Sequence, residues 1–312
     1  MESLTVYGNT AIAGQQAISA ELFSRWTSYI DASPKTVETY TKNIRRFFAY
    51  LAENGIAQPQ REDIVAYRDF LKREHKPTTV QGYLAAVKLF FQWTQQEGLY
   101  PDVAQRVKGA KLDTEHKKDY LTTRQVTRLL GAIDRSTLKG LRDYAMLSVM
   151  VTTGLREISI VRADIGDIRT AGDAVALYYQ GKGHEEKADY VKLAEPVEEA
   201  VRAYLKARGE TDPKAPLFSS IANRNTGERM TTRSVSRVAK DRLIAVGLES
   251  DRLTGHSFRH TAATLNLLAG GTVEETQQLL GHANINTTLI YSHTLERAKN
   301  NSEERIARAI FG

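Results

Sequence analysis

The sequence contains no cysteine. This absence excludes a thiol nucleophile, a disulfide framework and a cysteine-ligated zinc site. The chain also has no signal-peptide pattern and no apolar run of the roughly 20 residues that a transmembrane helix needs. We therefore expect a soluble, cytoplasmic protein with no membrane partner, whose chemistry depends on oxygen and nitrogen side chains.

The usual cofactor patterns are incomplete. His256 and His260 have the i,i+4 spacing of two zinc ligands on a helix. However, Ser257 stands where an H-E-x-x-H site has its glutamate, and Arg259 between the histidines would repel a cation. The segment Gly181-Lys182-Gly183 is too short for a P-loop and lacks the serine or threonine that follows one. The sequence therefore predicts no metal and no nucleotide cofactor.

The chain does have enough residues for two cores, and it has an excess of positive charge. Its 312 residues favour two domains. Its formal net charge of +6 allows a polyanionic partner. Many proteins of this size carry such an excess without binding nucleic acid, so charge alone leaves the question open.

Apolar periodicity predicts a small helical bundle in the first third of the chain. Residues 1–18 have weak periodicity and are expected to form an N-terminal arm, and four amphipathic helices follow within residues 19–107. Ser33 is suited to cap the second of these helices, with Pro34 at the first helical position.

Basic residues of the second helix lie largely off its apolar stripe. They are Lys42, Arg45 and Arg46. A solvated face and a face that contacts DNA phosphates explain their positions equally well.

A polar, charged stretch separates the bundle from the rest of the chain. Residues 108–119 have no periodicity and are expected to be a linker, which leaves residues 120–312 for a second domain. Within it, residues 174–180 and 190–193 have the composition of a β-hairpin with Lys182 near its tip. The remaining patterns are helical, including a final helix over residues 295–311. The expected fold is mainly α with a small antiparallel sheet.

One stretch near the C-terminus, residues 253–293, concentrates the residues suited to chemistry. His256 and Arg259 are three apart, which places them on one face of a helix. The sequence Leu280-Gly281-His282 follows, and Tyr291 comes nine residues after His282. Together these side chains are suited to an anionic phosphate.

Phosphodiester transfer needs a nucleophile, an acid for the leaving oxygen and cations on the non-bridging oxygens. A tyrosine can be the nucleophile, and arginines can bind the developing charge. Each residue alone has an ordinary structural explanation, and the argument rests on the ordered set. The candidates are Arg156, Lys182, His256, Arg259, His282 and Tyr291.

With these motifs in view, the sequence resembles the tyrosine recombinase (phage integrase) family, and specifically its compact Xer- and Cre-like members. The resemblance is carried by Thr153-Gly154-Leu155-Arg156, by Gly181-Lys182-Gly183, by the H-x-x-R-H-T box that begins at His256, and by Leu280-Gly281-His282 with Tyr291. It extends to the helical domain, which looks like the family's core-binding domain. It covers nearly the whole chain after about residue 18.

The resemblance implies a mechanism. Tyr291 attacks the scissile phosphate, forming a 3′-phosphotyrosyl bond, and Lys182 protonates the leaving 5′ oxygen to give a free 5′-hydroxyl. Arg156 and Arg259 bind the non-bridging oxygens. His256 is a proton acceptor and hydrogen-bond partner, and His282 hydrogen-bonds the phosphate. No metal or nucleotide is required.

The resemblance also implies an assembly. Four protomers exchange strands between paired sites on double-stranded DNA through a Holliday junction, in a nucleoid-associated location. The apolar end of the last helix, with Ile306, Ile310 and Phe311, suits docking on a neighbouring protomer, although packing on its own chain is equally compatible. Two alternatives stay open: a type IB topoisomerase-like DNA-relaxing enzyme and a non-catalytic DNA-binding protein.

One position departs from the family pattern. The family commonly has an acidic residue three positions after the first arginine, and this chain has Ser159. Glu157 follows the arginine directly, on a different face. We therefore expect the active site to be held less firmly and the reaction to be slower.

Overall fold

A computed structural model describes residues 20–111, 119–181, 186–299 and 301–311, with only the backbone described for residues 293–299. The N-terminal arm, residues 112–118 of the expected linker and Lys182 lie outside the described residues. The described residues before the gap at 112–118 form one compact unit, and those after it belong to a second. The mainly helical fold with a small antiparallel sheet is confirmed.

The first unit is a four-helix bundle. Its helices are α1 (Ala20–Tyr29), α2 (Pro34–Glu53), α3 (Arg61–Glu74) and α4 (Pro77–Gln96). Ser33 caps α2 as the sequence predicts, since its side chain accepts from the backbone N–H of Thr36. Aromatic side chains fill the core, among them Trp26, Phe47, Tyr67, Phe90 and Phe91.

Both ends of the expected linker pack on the unit that adjoins them. Arg68 donates to the carbonyl of Lys108 at 3.2 Å, and Gln81 donates to that of Ala110 at 2.9 Å. Asp119 forms an ion pair with Arg252 of the second unit at 3.0 Å.

The second unit contains nine described helices and one sheet. The helices are α5 (Thr123–Gly131), α6 (Leu138–Thr153), α7 (Glu157–Arg162), α8 (Glu195–Arg208), α9 (Thr232–Ala245), α10 (Gly255–Leu268), α11 (Val273–Leu280), α12 (Asn286–Lys299) and α13 (Ser302–Phe311). The sheet has the order β1 (Ile168–Ala171), β2 (Ala174–Tyr179) and β3 (Asp189–Lys192), all antiparallel.

Helix α6 is buried at the centre of this unit and packs against α8 and α10. The carboxylate of Asp143 on α6 accepts from Arg142 and from Arg242 of α9, each at 2.6 Å. The carboxylate fixes α9 against α6, because it accepts charge-assisted hydrogen bonds from a guanidinium of each helix.

The expected final helix is wrong in its extent. The chain forms one helix that runs from Asn286 through Tyr291 to Lys299 and a separate helix from Ser302 to Phe311. Among the described residues, no helix is both long and apolar enough to span a membrane.

Candidate active site

Helix α10 positions the first two candidate residues. Its first turn is fixed by a capping box, in which the backbone N–H of Thr254 donates to Ser257 Oγ at 3.0 Å. His256 is exposed in this turn, whereas Arg259 and His260 are buried. Arg259 is thus enclosed by the unit, whereas His256 lies at its surface.

Arg259 is a buried cation that joins three helices. Its terminal nitrogens donate to backbone carbonyls, one to that of Gly154 at 2.7 Å and the other to that of Leu280 at 2.6 Å. Burial and the nearby Arg156 lower the pKa of Arg259 to about 10, so the guanidinium stays charged at neutral pH. Because a guanidinium has five N–H donors, it keeps donors for a phosphate after making these two bonds.

A glycine ends each of the two helices, α6 and α11, whose C-terminal carbonyls accept hydrogen bonds from Arg259. Gly154 follows α6 with φ of 64°, and Gly281 follows α11 with φ of 58°, a conformation that strongly favours glycine. A Cβ at Gly154 would lie 2.5 Å from Leu280 Cδ2. Glycine at position 154 therefore leaves room for the side chain of Leu280 to pack at the end of α6.

His282 follows directly after Gly281. Its Nδ1 lies 2.8 Å from Oγ1 of the buried Thr288 on α12. Burial, with the charges of Arg259 and Arg156, lowers the pKa of His282 to about 4. The imidazole is therefore neutral at physiological pH, with Nδ1 engaged by Thr288 and Nε2 on the opposite side of the ring.

Tyr291 lies on α12 and is 7% exposed. Its ring centroid is 5.3 Å from that of His260, which is 4.8 Å from that of His256. Burial raises the pKa of Tyr291, while Arg259 and Arg156 oppose the rise. A phenol in this position is protonated before DNA binds, and the two arginines are the groups that favour its ionisation.

Arg156 is the N-cap of α7 and is half-buried. Its charge acts on Arg259, His282 and Tyr291, which places it in the same site. The structure therefore brings together five of the six candidates. The sixth, Lys182, is outside the described residues.

Glu157 has contacts that the sequence did not predict. Ser236 Oγ on α9 donates to Glu157 Oε1 at 2.7 Å. The same oxygen occupies the space over Gly255, where a Cβ would lie 1.9 Å from it. A carboxylate thus sits at the N-terminus of α10, where negative charge is favourable. Ser159, at the position where the family commonly has an acidic residue, is buried in α7. The carboxylate that reaches α10 is that of Glu157, two residues earlier in the chain.

The basic residues of α2 differ in their exposure and in their contacts with other side chains. Lys42 and Arg45 are exposed, with Arg45 stacked 5.4 Å from the ring centroid of Phe23. Arg46 is partly enclosed: it pairs with Glu74 at 3.1 Å and lies over the rings of Phe70 and Tyr83. The predicted DNA face is therefore more accessible at Lys42 and Arg45 than at Arg46.

The end of α13 is exposed. Ile306 is 59% exposed, Ile310 65% and Phe311 85%. The described residues contain no cluster of three or more side chains of the types that bind metals.

Comparisons with known proteins agree with these motifs. Residues 119–297 match the family model described as phage integrase family, and residues 24–98 match the phage integrase N-terminal SAM-like domain. Tyrosine recombinase XerC of Herpetosiphon aurantiacus is 31% identical over 265 residues, which cover 83% of this chain and 84% of that protein.

Two solved structures share the fold. XerH site-specific recombinase bound to palindromic difH substrate, a post-cleavage complex, has a TM-score of 0.71 at 19% identity, covering 95% of this chain and 85% of that one. A lambda integrase tetramer bound to a Holliday junction has a TM-score of 0.68 at 18% identity, covering 91% and 78%. Identities this low establish a common fold and nothing finer.

Proposed function

Because the chain belongs to the phage integrase family of tyrosine recombinases, which cleave and rejoin DNA, we propose that Tyr291 is the nucleophile of a site-specific recombination reaction. The observation that carries the proposal is the convergence of Arg156, Arg259, His282 and Tyr291 on one site. That site combines a buried guanidinium that is charged at neutral pH with a protonated phenol.

The proposed cleavage step uses each group once. Tyr291 Oη attacks the scissile phosphorus while its proton passes to His256. The bond from phosphorus to the 5′ oxygen breaks, and Lys182 protonates that oxygen. The products are a 3′-phosphotyrosyl ester and a free 5′-hydroxyl. Rejoining reverses these transfers with a new 5′-hydroxyl, so the ester conserves the bond energy and no nucleotide is consumed.

Arg259 and Arg156 are suited to the charge that develops on the non-bridging oxygens. Arg259 is fixed by two backbone carbonyls, so it needs little reorganisation when the phosphate arrives. His282 is neutral and oriented by Thr288, so it acts as a hydrogen-bond donor from Nε2 rather than as a cation.

The proposal extends to the assembly. The partner is double-stranded DNA with paired recombination sites, which four protomers synapse and exchange through a Holliday junction. The lambda integrase tetramer on such a junction shares the fold and supports this arrangement. The exposed Ile306, Ile310 and Phe311 give α13 an apolar end suited to a neighbouring protomer. Lys42 and Arg45 are candidates for phosphate contacts in the first unit, with Arg46 the least accessible.

The first experiment selects a substrate by its chemistry. A pool of random-sequence duplexes carries a nick, so that a short strand diffuses away after cleavage and prevents rejoining. Duplexes that stay attached to the chain through a denaturing wash are recovered, and one of them, the selected duplex, serves all later assays. We expect proteolysis of the adduct to yield a DNA-linked peptide that contains Tyr291.

Tyr291→Phe is the decisive variant. It should bind the selected duplex with unchanged Kd and form no ester, whereas Tyr178→Phe, which alters a tyrosine on β2, should form the ester at the wild-type rate. Ester formation by Tyr291→Phe would show that the nucleophile is another residue. Wild-type chain that binds duplexes but never forms an ester would favour the non-catalytic alternative.

Strand exchange separates recombination from relaxation. A plasmid with two copies of the selected duplex should be resolved into two circles. Relaxation of supercoiled plasmid that has no selected duplex, without resolution, would instead favour the topoisomerase-like alternative. Because phosphate contacts release counterions, Kd should rise steeply with salt.

A further inference from the structure

A second tyrosine lies beside Arg259. Tyr179 is the last residue of β2 and is 7% exposed. Its hydroxyl oxygen lies 3.0 Å from the point that a Cβ on Gly281 would occupy. Gly281 stands between Leu280, whose carbonyl accepts from Arg259, and His282. The hydroxyl therefore adjoins the turn that carries His282 and whose Leu280 carbonyl holds Arg259.

Electrostatics place the same phenol in the active site. Burial and Asp189 raise the pKa of Tyr179, while Arg259 and Arg156 oppose the rise. Arg259 in turn interacts with Tyr179 and with Tyr291. The two phenols come from different elements, β2 and α12, and share Arg259 as a neighbour. Tyr179 is protonated at neutral pH and is thus a hydrogen-bond donor.

The donor is available. Within the described ranges, no backbone or side-chain group accepts a hydrogen bond from the Tyr179 hydroxyl. Its neighbour Tyr178 differs: its ring lies 5.3 Å from that of Tyr190 and 5.0 Å from the guanidinium of Arg169. Alternation along β2 sends these consecutive tyrosines to opposite faces, and only Tyr179 faces the turn at Gly281.

We propose that the hydroxyl of Tyr179 is a further catalytic group, which donates a hydrogen bond to a non-bridging oxygen of the scissile phosphate next to Arg259. The inference rests on the proposed function. Tyr179 forms no covalent bond and keeps its proton. Its hydrogen bond strengthens as negative charge builds on the oxygen, so it favours the transition state over the bound substrate.

The first test is Tyr179→Phe, which removes one oxygen and keeps the ring. We expect ester formation on the selected duplex in a single turnover to slow about tenfold, the effect of one hydrogen bond to a charged oxygen. Kd and thermal midpoint should stay at wild-type values. Tyr178→Phe is the matched control and should cleave at the wild-type rate. A Tyr179→Phe rate equal to that of wild type would overturn the inference.

A sulfur substitution tests the contact itself. The selected duplex is prepared with either non-bridging oxygen of the mapped scissile phosphate replaced by sulfur, a poor hydrogen-bond acceptor. For one of the two diastereomers, Tyr179→Phe should slow cleavage by less than about twofold, because the hydrogen bond is already weakened. A loss of the same size on the oxygen substrate and both sulfur substrates would assign Tyr179 to packing and refute the contact.

The two proposals fail separately. If Tyr291→Phe still forms the ester, the proposed function is wrong. If Tyr291→Phe is inactive while Tyr179→Phe is unchanged, only the role of Tyr179 is wrong.

Discussion

The orientation of His282 depends on a hydrogen bond that one substitution removes. Nδ1 lies 2.8 Å from Oγ1 of Thr288, and the threonine side chain is fully buried. Thr288→Val keeps the branched shape and replaces the hydroxyl with a methyl group. Thr288→Ser keeps the hydroxyl and removes the methyl group. The pair of variants thus separates the hydrogen bond from the packing.

The expected magnitudes follow from the burial of the two groups. A hydrogen bond between uncharged groups contributes about 1 kcal/mol net, and an unsatisfied buried partner costs about 1–3 kcal/mol. Because the imidazole of His282 is only half-buried, water can reach it, and we expect Thr288→Val to lower the free energy of unfolding by about 1 kcal/mol. The freed ring no longer points Nε2 at the phosphate. If this costs about 1.4 kcal/mol in the transition state, ester formation slows about tenfold.

The assay is single-turnover ester formation on the selected duplex, paired with urea denaturation of each variant. Thr288→Ser should keep a rate within about twofold of wild type, although loss of the buried methyl group costs about 1 kcal/mol of stability. Two results would refute the reasoning. One is a wild-type rate for Thr288→Val, and the other is a rate for Thr288→Ser as low as that of Thr288→Val.

Other substitutions test the remaining contacts. Arg259→Lys should lower the free energy of unfolding by about 2–4 kcal/mol in urea, because one ammonium cannot replace a guanidinium bound to two carbonyls; an unchanged midpoint would contradict the double contact. The pKa of about 4 for His282 lies below the ordinary value of about 6.5, so between these values the unfolded chain binds a proton that the folded chain does not. Wild-type stability should therefore fall by about 1–2 kcal/mol more than that of His282→Asn from pH 7 to 4, a figure reduced for solvent screening, and parallel curves would exclude this linkage. Glu157→Gln should lower the free energy of unfolding in urea by about 0.5–1 kcal/mol, because it removes negative charge at the N-terminus of α10. Glu157→Ala should lower it further, because the acceptor for Ser236 is also lost. Equal stability of the two variants would show that this hydrogen bond contributes nothing.

The helices could be predicted because their signals are local. The cap Ser33 and the first helical residue Pro34 lie within one turn of the start of α2, and apolar periodicity gives the buried faces. The edge strand β1 was not predicted, since its four residues are held by pairing with β2 rather than by composition. The break between Lys299 and Ser302 was also missed, because both flanking segments have helical composition.

The residues of the site also divide into those that local sequence signals predict and those that they do not. Motif spacing placed His256 and Arg259 on one helix, and the structure has both on α10. Glu157 and Tyr179 were missed, because their contacts join elements far apart in the sequence. Some signal was present: Glu157 opens α7, and alternation along β2 predicts that Leu177 and Tyr179 share a buried face.

Two helix C-termini converge on the guanidinium of Arg259. The C-terminus of a helix carries a partial negative charge of about half an elementary charge on its unpaired carbonyls. The ends of α6 and α11 therefore favour a cation between them, against the burial and the neighbouring Arg156 that lower the pKa of Arg259. Since the two carbonyls occupy one donor on each terminal nitrogen, the direction of the remaining N–H groups is set before DNA binds. A phosphate oxygen must therefore approach the arginine from that side.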